Sequence, residues 1–88
     1  MAIAEAFRMK NPSEMTPRQL FAYNLRQVRR RREMAQDALA DCAGMSRSYV
    51  SGVERGVRNV SIDNMGQLAQ ALNIPLKDLL DPALFPEI

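Results

Sequence analysis

The punctuation of the middle of the chain constrains its fold more than any other feature. From Thr16 to Pro82, helix-start and helix-stop residues alternate at short intervals, and no segment between them shows the in-out alternation of a strand. Thr16-Pro17 reads as an N-cap followed by proline at the first helical position, where the missing N–H costs nothing. Leu20, Phe21, Leu25 and Val28 then recur at helical spacing, which predicts a helix to about Glu33 with that face buried and Arg26, Arg30 and Arg31 largely in water. A second, short helix is expected from about Gln36 to Ala43, with Leu39, Ala40 and Ala43 inward and Gly44 as a left-handed stop. Ser46 offers its side-chain oxygen to a third helix, which turns Val50 and Val53 inward and ends at Gly56. Ser61 caps a fourth, carrying Ile62, Met65, Leu68, Ala69 and Leu72 at the helical period and ended by Asn73. Pro75 opens a fifth helical turn through Leu76, Leu79 and Leu80, stopped at Asp81-Pro82. The expected architecture is all-α: a compact five-helix domain over residues 16–82, preceded by an extension (1–15) and followed by a short tail (83–88).

At 88 residues the chain can build one core, since a domain of that size buries only roughly 60% of its unfolded surface. Histidine is absent and Cys42 is the single cysteine, which removes the common zinc sets, an internal disulfide and every His-dependent triad. Cys42 itself is expected to be a small buried residue. The carboxylates are scattered, no glycine loop cradles phosphate, and no nucleophile has a base beside it, so neither an enzyme nor a cofactor or metal site is expected. The longest apolar run falls far short of the ~20 residues of a membrane span, and Met1-Ala2-Ile3 with Glu5 does not read as a secretory leader. The expected location is the cytoplasm.

The charge is segregated. Between Thr16 and Val60 nine arginines face Glu33, Asp37, Asp41 and Glu54, a net of +5, whereas residues 61–88 carry a net of −3. A basic body with an acidic end points to a polyanion partner for the first and another surface for the second.

The segments Leu25-Arg26-Gln27-Val28-Arg29, Ala35-Gln36-Asp37-Ala38-Leu39-Ala40, Gly44-Met45-Ser46, Val50-Ser51-Gly52-Val53-Glu54-Arg55-Gly56, Asn59 and Leu68-Ala69-Gln70-Ala71-Leu72, in that order and at that spacing, resemble the Cro/repressor-type (XRE) helix-turn-helix family over about residues 20–81. Within it, Arg47-Ser48-Tyr49 through Gly56 with Arg58-Asn59 is similar to the controller proteins of restriction–modification operons. The resemblance implies a lambda-repressor-like domain, sequence-specific binding of duplex DNA, and transcription regulation.

The residues themselves support that chemistry. A helix fits the major groove, and polar side chains near its N-terminal end reach the base edges. With Val50 and Val53 facing the core, Arg47, Ser48, Ser51 and Gly52 turn outward with Tyr49 beside them. Arg47 can give guanine a bidentate pair worth about 1–3 kcal/mol of discrimination, where the plainer reading is a solvated surface arginine. Tyr49 either lays its ring on sugar or a thymine methyl or covers the edge of the core. The resemblance implies that Gln36 binds a phosphate while bracing the third helix, that Ser46, Arg58 and Asn59 lie along the sugar-phosphate chain, and that Arg29 and Glu54 form a structural salt bridge. Ala35 stands where the family usually has a capping Ser, Thr or Asn, so a bond worth about 0.5–2 kcal/mol is expected to be missing. Of the run Arg29-Arg30-Arg31-Arg32, successive residues point about 100° apart, so one or two at most reach DNA.

One such domain reads too few base pairs for selectivity, so a two-fold homodimer on an inverted-repeat operator is expected, with half-sites about 34 Å apart. The candidate interface is the C-terminal surplus of Leu80, Leu84 and Phe85, with residues 1–15 either folding over that surface or extending it. A different reading is an antitoxin-type interaction module that also represses its own operon, which brings a toxin into view as partner, as a regulator brings RNA polymerase.

Overall fold

The computed structural model describes residues 14–85; what was expected of residues 1–13 and 86–88 lies outside them. Among the described residues there are five helices and no strand: α1 (Pro17–Arg31), α2 (Gln36–Ala43), α3 (Arg47–Glu54), α4 (Ile62–Ala71) and α5 (Leu76–Leu79). The all-α, five-helix expectation holds.

Local chemistry accounts for the boundaries. The Thr16 hydroxyl accepts from the Gln19 N–H at 3.1 Å while the Gln19 side chain accepts from the Thr16 N–H at 3.0 Å, a reciprocal capping box that satisfies two otherwise orphaned donors. Ser46 and Ser61 cap α3 and α4 by accepting from the N–H groups of Tyr49 and Asn64. Ala35 has the extended backbone of an N-cap but no side chain to bond with, so α2 starts uncapped. Four helices close alike, with a left-handed residue (Glu33, Gly44, Gly56 or Asn73) whose successor donates its N–H to the carbonyl five residues back, at 2.9–3.1 Å. Three of those residues are the ones the turn chemistry marks; Glu33 is not, and α1 ends at Arg31 because Glu33 itself takes φ 54°.

The core is assembled from Phe21, Leu25 and Val28 of α1, Leu39, Ala40 and Ala43 of α2, Val50 and Val53 of α3, Leu68 and Ala69 of α4, then Leu72 and Leu79. Each fully buried large apolar side chain here is worth about 1.5–3 kcal/mol, so truncating Leu39, at the meeting of α2 with α3 and α4, removes one of the main contributions. α5 closes the bundle against α4 and α1. Asn24, on the buried face of α1, donates through Nδ2 to the carbonyls of Leu79 and Asp81, both at 3.0 Å, and thereby ties the end of α5 to α1. It sits among apolar positions where periodicity alone predicts packing.

Several placements correct the sequence reading. Cys42 is exposed, because it lies on the outward side of α2, between the inward Ala40 and Ala43. Ile62 is 68% exposed at the first turn of α4, before that helix meets the core. Phe85 is not surplus to the monomer: it is 9% exposed, with its ring edge-on to Tyr23 (centroids 6.5 Å apart) and under the Arg31 guanidinium at 4.1 Å. Leu79 is fully buried and Leu84 packs half-buried on the core, which leaves Leu80 as the exposed large apolar residue among the described residues of that end. No helix among the described residues is long and apolar enough to cross a membrane.

Candidate nucleic-acid interface

α2, the turn at Gly44 and α3 form the helix-turn-helix. Val50 and Val53 press one side of α3 into the core, and helical geometry then turns Arg47 and Ser48 into solvent with Ser51 half-buried beside them. These three and Gln36, from the first position of α2, line one shallow cleft of about 250 Å³. The tip of α3 is therefore open. Arg47 is held in part by Asp37, Nε to Oδ1 at 3.1 Å, with both side chains about 70% exposed (69% and 72%). Such a solvated pair is worth about 0–1 kcal/mol and releases the guanidinium readily.

Tyr49 is half-buried against the core, and its hydroxyl accepts a hydrogen bond from Asn64 Nδ2 at 3.1 Å. The Arg58 guanidinium stands over its ring at 5.1 Å. Gly52, expected to turn outward, is instead buried beneath the Arg58 stem: a Cβ there would come within 2.5 Å of Arg58 Cγ. The glycine is thus a seat for the arginine. Ser46 spends its oxygen on capping α3. Asn59 Oδ1 accepts from Arg18 Nη2, which joins the loop after α3 to the start of α1. Arg18 was not marked by the sequence; only the fold brings positions 41 apart together.

Beneath the open face lies a buried ion pair. Glu54 is 2% exposed; its Oε2 accepts from Arg29 Nε at 2.6 Å and its Oε1 from Arg29 Nη2 at 2.9 Å. Gln36 Nε2 donates to the same Oε1 at 2.9 Å, so the residue at the start of α2 is braced on α3 through this carboxylate. Arg29 Nη1 also donates to the Met34 carbonyl at 2.7 Å and stitches the α1–α2 turn to the pair. Arg26, expected largely in water, donates instead to the Glu54 carbonyl at 2.8 Å; burial, then the neighbouring Arg30, lowers its pKa from the usual guanidinium value. Among the described residues no three carboxylate or cysteine side chains gather where a metal would sit.

The helix-turn-helix family model HTH_3 matches residues 25–79. Control protein C.BamHI of Bacillus amyloliquefaciens is 45% identical over 65 residues, covering 73% of this chain and 80% of its own. The restriction-modification controller protein C.AhdI of Aeromonas hydrophila superposes with a TM-score of 0.69 at 45% identity, over 70% of this chain and 94% of that one. The hypothetical transcription factor NHTF from Neisseria does so with a TM-score of 0.74 at 37% identity, over 76% and 77%.

Proposed function

This chain belongs to the helix-turn-helix family HTH_3, similar throughout its matched length to restriction–modification control proteins, and from that membership we propose that it regulates transcription by binding an inverted-repeat operator as a homodimer. The observation that carries the reading is the tip of α3, where Arg47, Ser48 and Ser51 share one open cleft with Gln36 among the described residues.

In this reading α3 lies in the major groove. Arg47 exchanges Asp37 for the O6 and N7 of a guanine, while the hydroxyls of Ser48 and Ser51 discriminate less. Tyr49, half-buried, offers only its outer ring edge to sugar or a thymine methyl. Gln36, Ser46, Arg58 and Asn59 take the flanking phosphates, which fixes register without carrying sequence information. Arg58 arrives already aligned, because the Gly52 seat and the Tyr49 ring hold its side chain. The partner subunit docks at the end bearing exposed Leu80, with Leu84 at its edge.

Selection of bound duplexes from random sequence, followed by titration of Arg47→Ala on the selected and on an unrelated duplex, tests this. The variant is expected to lose the preference and keep the fold; equal weakening on both duplexes would show that Arg47 touches only backbone. Binding by the unaltered protein should weaken steeply with salt, since each neutralised phosphate adds about 0.9 to the logarithmic slope.

A further inference from the structure

The open cleft at the tip of α3 continues into a second, more strongly charged one. Gln36 and Ser51 belong to both; beyond them the second cleft, of about 470 Å³, runs between Arg26 and Arg30 of α1 and Arg55, the C-cap of α3, with the Arg29–Glu54 pair also in its lining. Arg47, Ser51 and the C-cap residue Arg55, whose backbone is still helical, stand at four-residue intervals and so form one stripe along α3; Arg26 and Arg30, also four apart, form the facing rim on α1.

Among the described residues that line this cleft, arginines outnumber carboxylates. Among the described residues its one carboxylate is Glu54, 2% exposed, with both oxygens taken by Arg29 and Gln36, so that it faces Arg29 and Gln36 rather than the opening. Arg30 and Arg55, both exposed, stand with the half-buried Arg26 around one opening. Two of them are held in place: Arg26 by its bond to the Glu54 carbonyl at 2.8 Å, and Arg55 by Nε to the Ser51 carbonyl at 3.3 Å. Like charges at four-residue spacing on a helix repel, and a domain gains nothing in its free state by gathering them. A planar, bidentate cation beside a groove-reading helix suits one kind of group above others, a phosphate oxyanion.

The geometry points to this cleft as the seat of a phosphate of the DNA strand beside the major groove, gripped from α1 by Arg26 and Arg30 and from α3 by Arg55. The inference rests on the functional reading above and extends the DNA-binding surface onto the first helix. Arg55 then closes the stripe that Arg47 opens: one end of α3 reads a base and the other end anchors the strand.

The test uses the full chain, the selected operator duplex and an unrelated duplex of equal length. Arg30→Gln, Arg55→Gln and the double variant alter exposed side chains, and unchanged melting temperatures establish that the fold is kept. The double variant is expected to weaken binding to both duplexes by the same factor, preserve the operator preference, and lower the logarithmic salt slope by about one. Replacing single phosphates by neutral methylphosphonates should reveal one position whose neutralisation weakens the unaltered protein but leaves the double variant unaffected. An unchanged slope with no such position, in a protein whose preference still depends on Arg47, overturns the seat and leaves the functional reading standing. Failure of the unaltered protein to prefer any duplex sinks both. Sodium pyrophosphate is the second arm: if it saturates the cleft, read from the Nε resonances of Arg30 and Arg55, while operator affinity stays constant, the seat belongs to a phosphorylated solute and the DNA assignment is overturned.

Discussion

Glu54→Ala is expected to look like a DNA-binding defect and to be a folding defect. The substitution removes the acceptor of three hydrogen bonds, at 2.6, 2.9 and 2.9 Å, and leaves the Arg29 guanidinium, 11% exposed, holding only the Met34 carbonyl. Breaking a buried pair in this way typically costs about 3–5 kcal/mol, because one charge stays behind in a site of low polarity. A chain of 88 residues has a total stability of roughly 4–13 kcal/mol, so the loss is a large share of it. The melting temperature should fall by roughly 12–40 °C at the usual about 4–8 °C per kcal/mol for a domain of this size. Thermal and urea unfolding followed by circular dichroism measure it. The double variant Arg29→Met, Glu54→Leu should recover much of the loss, since replacing both members by apolar side chains leaves no unpaired charge. Operator affinity of Glu54→Ala, corrected for the folded fraction, should stay within a few-fold of the unaltered protein. Melting within about 4 °C of the unaltered protein would refute the reasoning, as that corresponds to under about 1 kcal/mol.

Gly52→Ala should leave stability within about 1 kcal/mol, because the helix gain of about 0.5–1 kcal/mol offsets the loss of the Arg58–Tyr49 contact, while DNA affinity drops on every sequence as Arg58 is pushed from its seat; unchanged affinity in filter binding would contradict the seat. Asp37→Asn should tighten operator binding at low salt, since it frees Arg47 and removes a negative charge beside the reading face, at a stability cost below about 1 kcal/mol; weaker binding would show that the pair pre-positions Arg47 usefully. Ala35→Ser should stabilise the protein by about 0.5–2 kcal/mol, because residue 35 already has N-cap backbone angles and lacks only the oxygen; hydrogen exchange in the first turn of α2 should slow with it.

The features that could be read from the chain are those decided within one turn of helix. Thr16, Ser46 and Ser61 cap from their own side chains, Gly44, Gly56 and Asn73 stop helices by their own backbone freedom, and the apolar spacing of Val50 and Val53 alone turns Arg47 and Ser48 outward. The Arg29–Glu54 pairing came from likeness to a family rather than from any local rule. Beyond one turn the sequence offered no signal. Nothing in the spelling of positions 52 and 58 says that an arginine stem crosses a glycine, and nothing in Arg26 says that it reaches a carbonyl of α3. Asn24 reads as an interruption of an apolar face until the end of α5 is brought against it.

Among the described residues, amino-acid order alone therefore determined the number of helices, their order, where nearly all of them start and stop, and that α3 shows Arg47 and Ser48 to solvent, because caps, left-handed stops and helical period are short-range effects. Tertiary structure decided what those exposed groups stand next to: Asp37 beside Arg47, Arg58 over Tyr49, and three arginines from two helices around a single opening. It also decided which apolar residues were left over, taking Phe85 into the core and leaving Ile62 and Leu80 outside. Those outcomes depend on distances between segments many residues apart, and such distances are set only when the whole core closes.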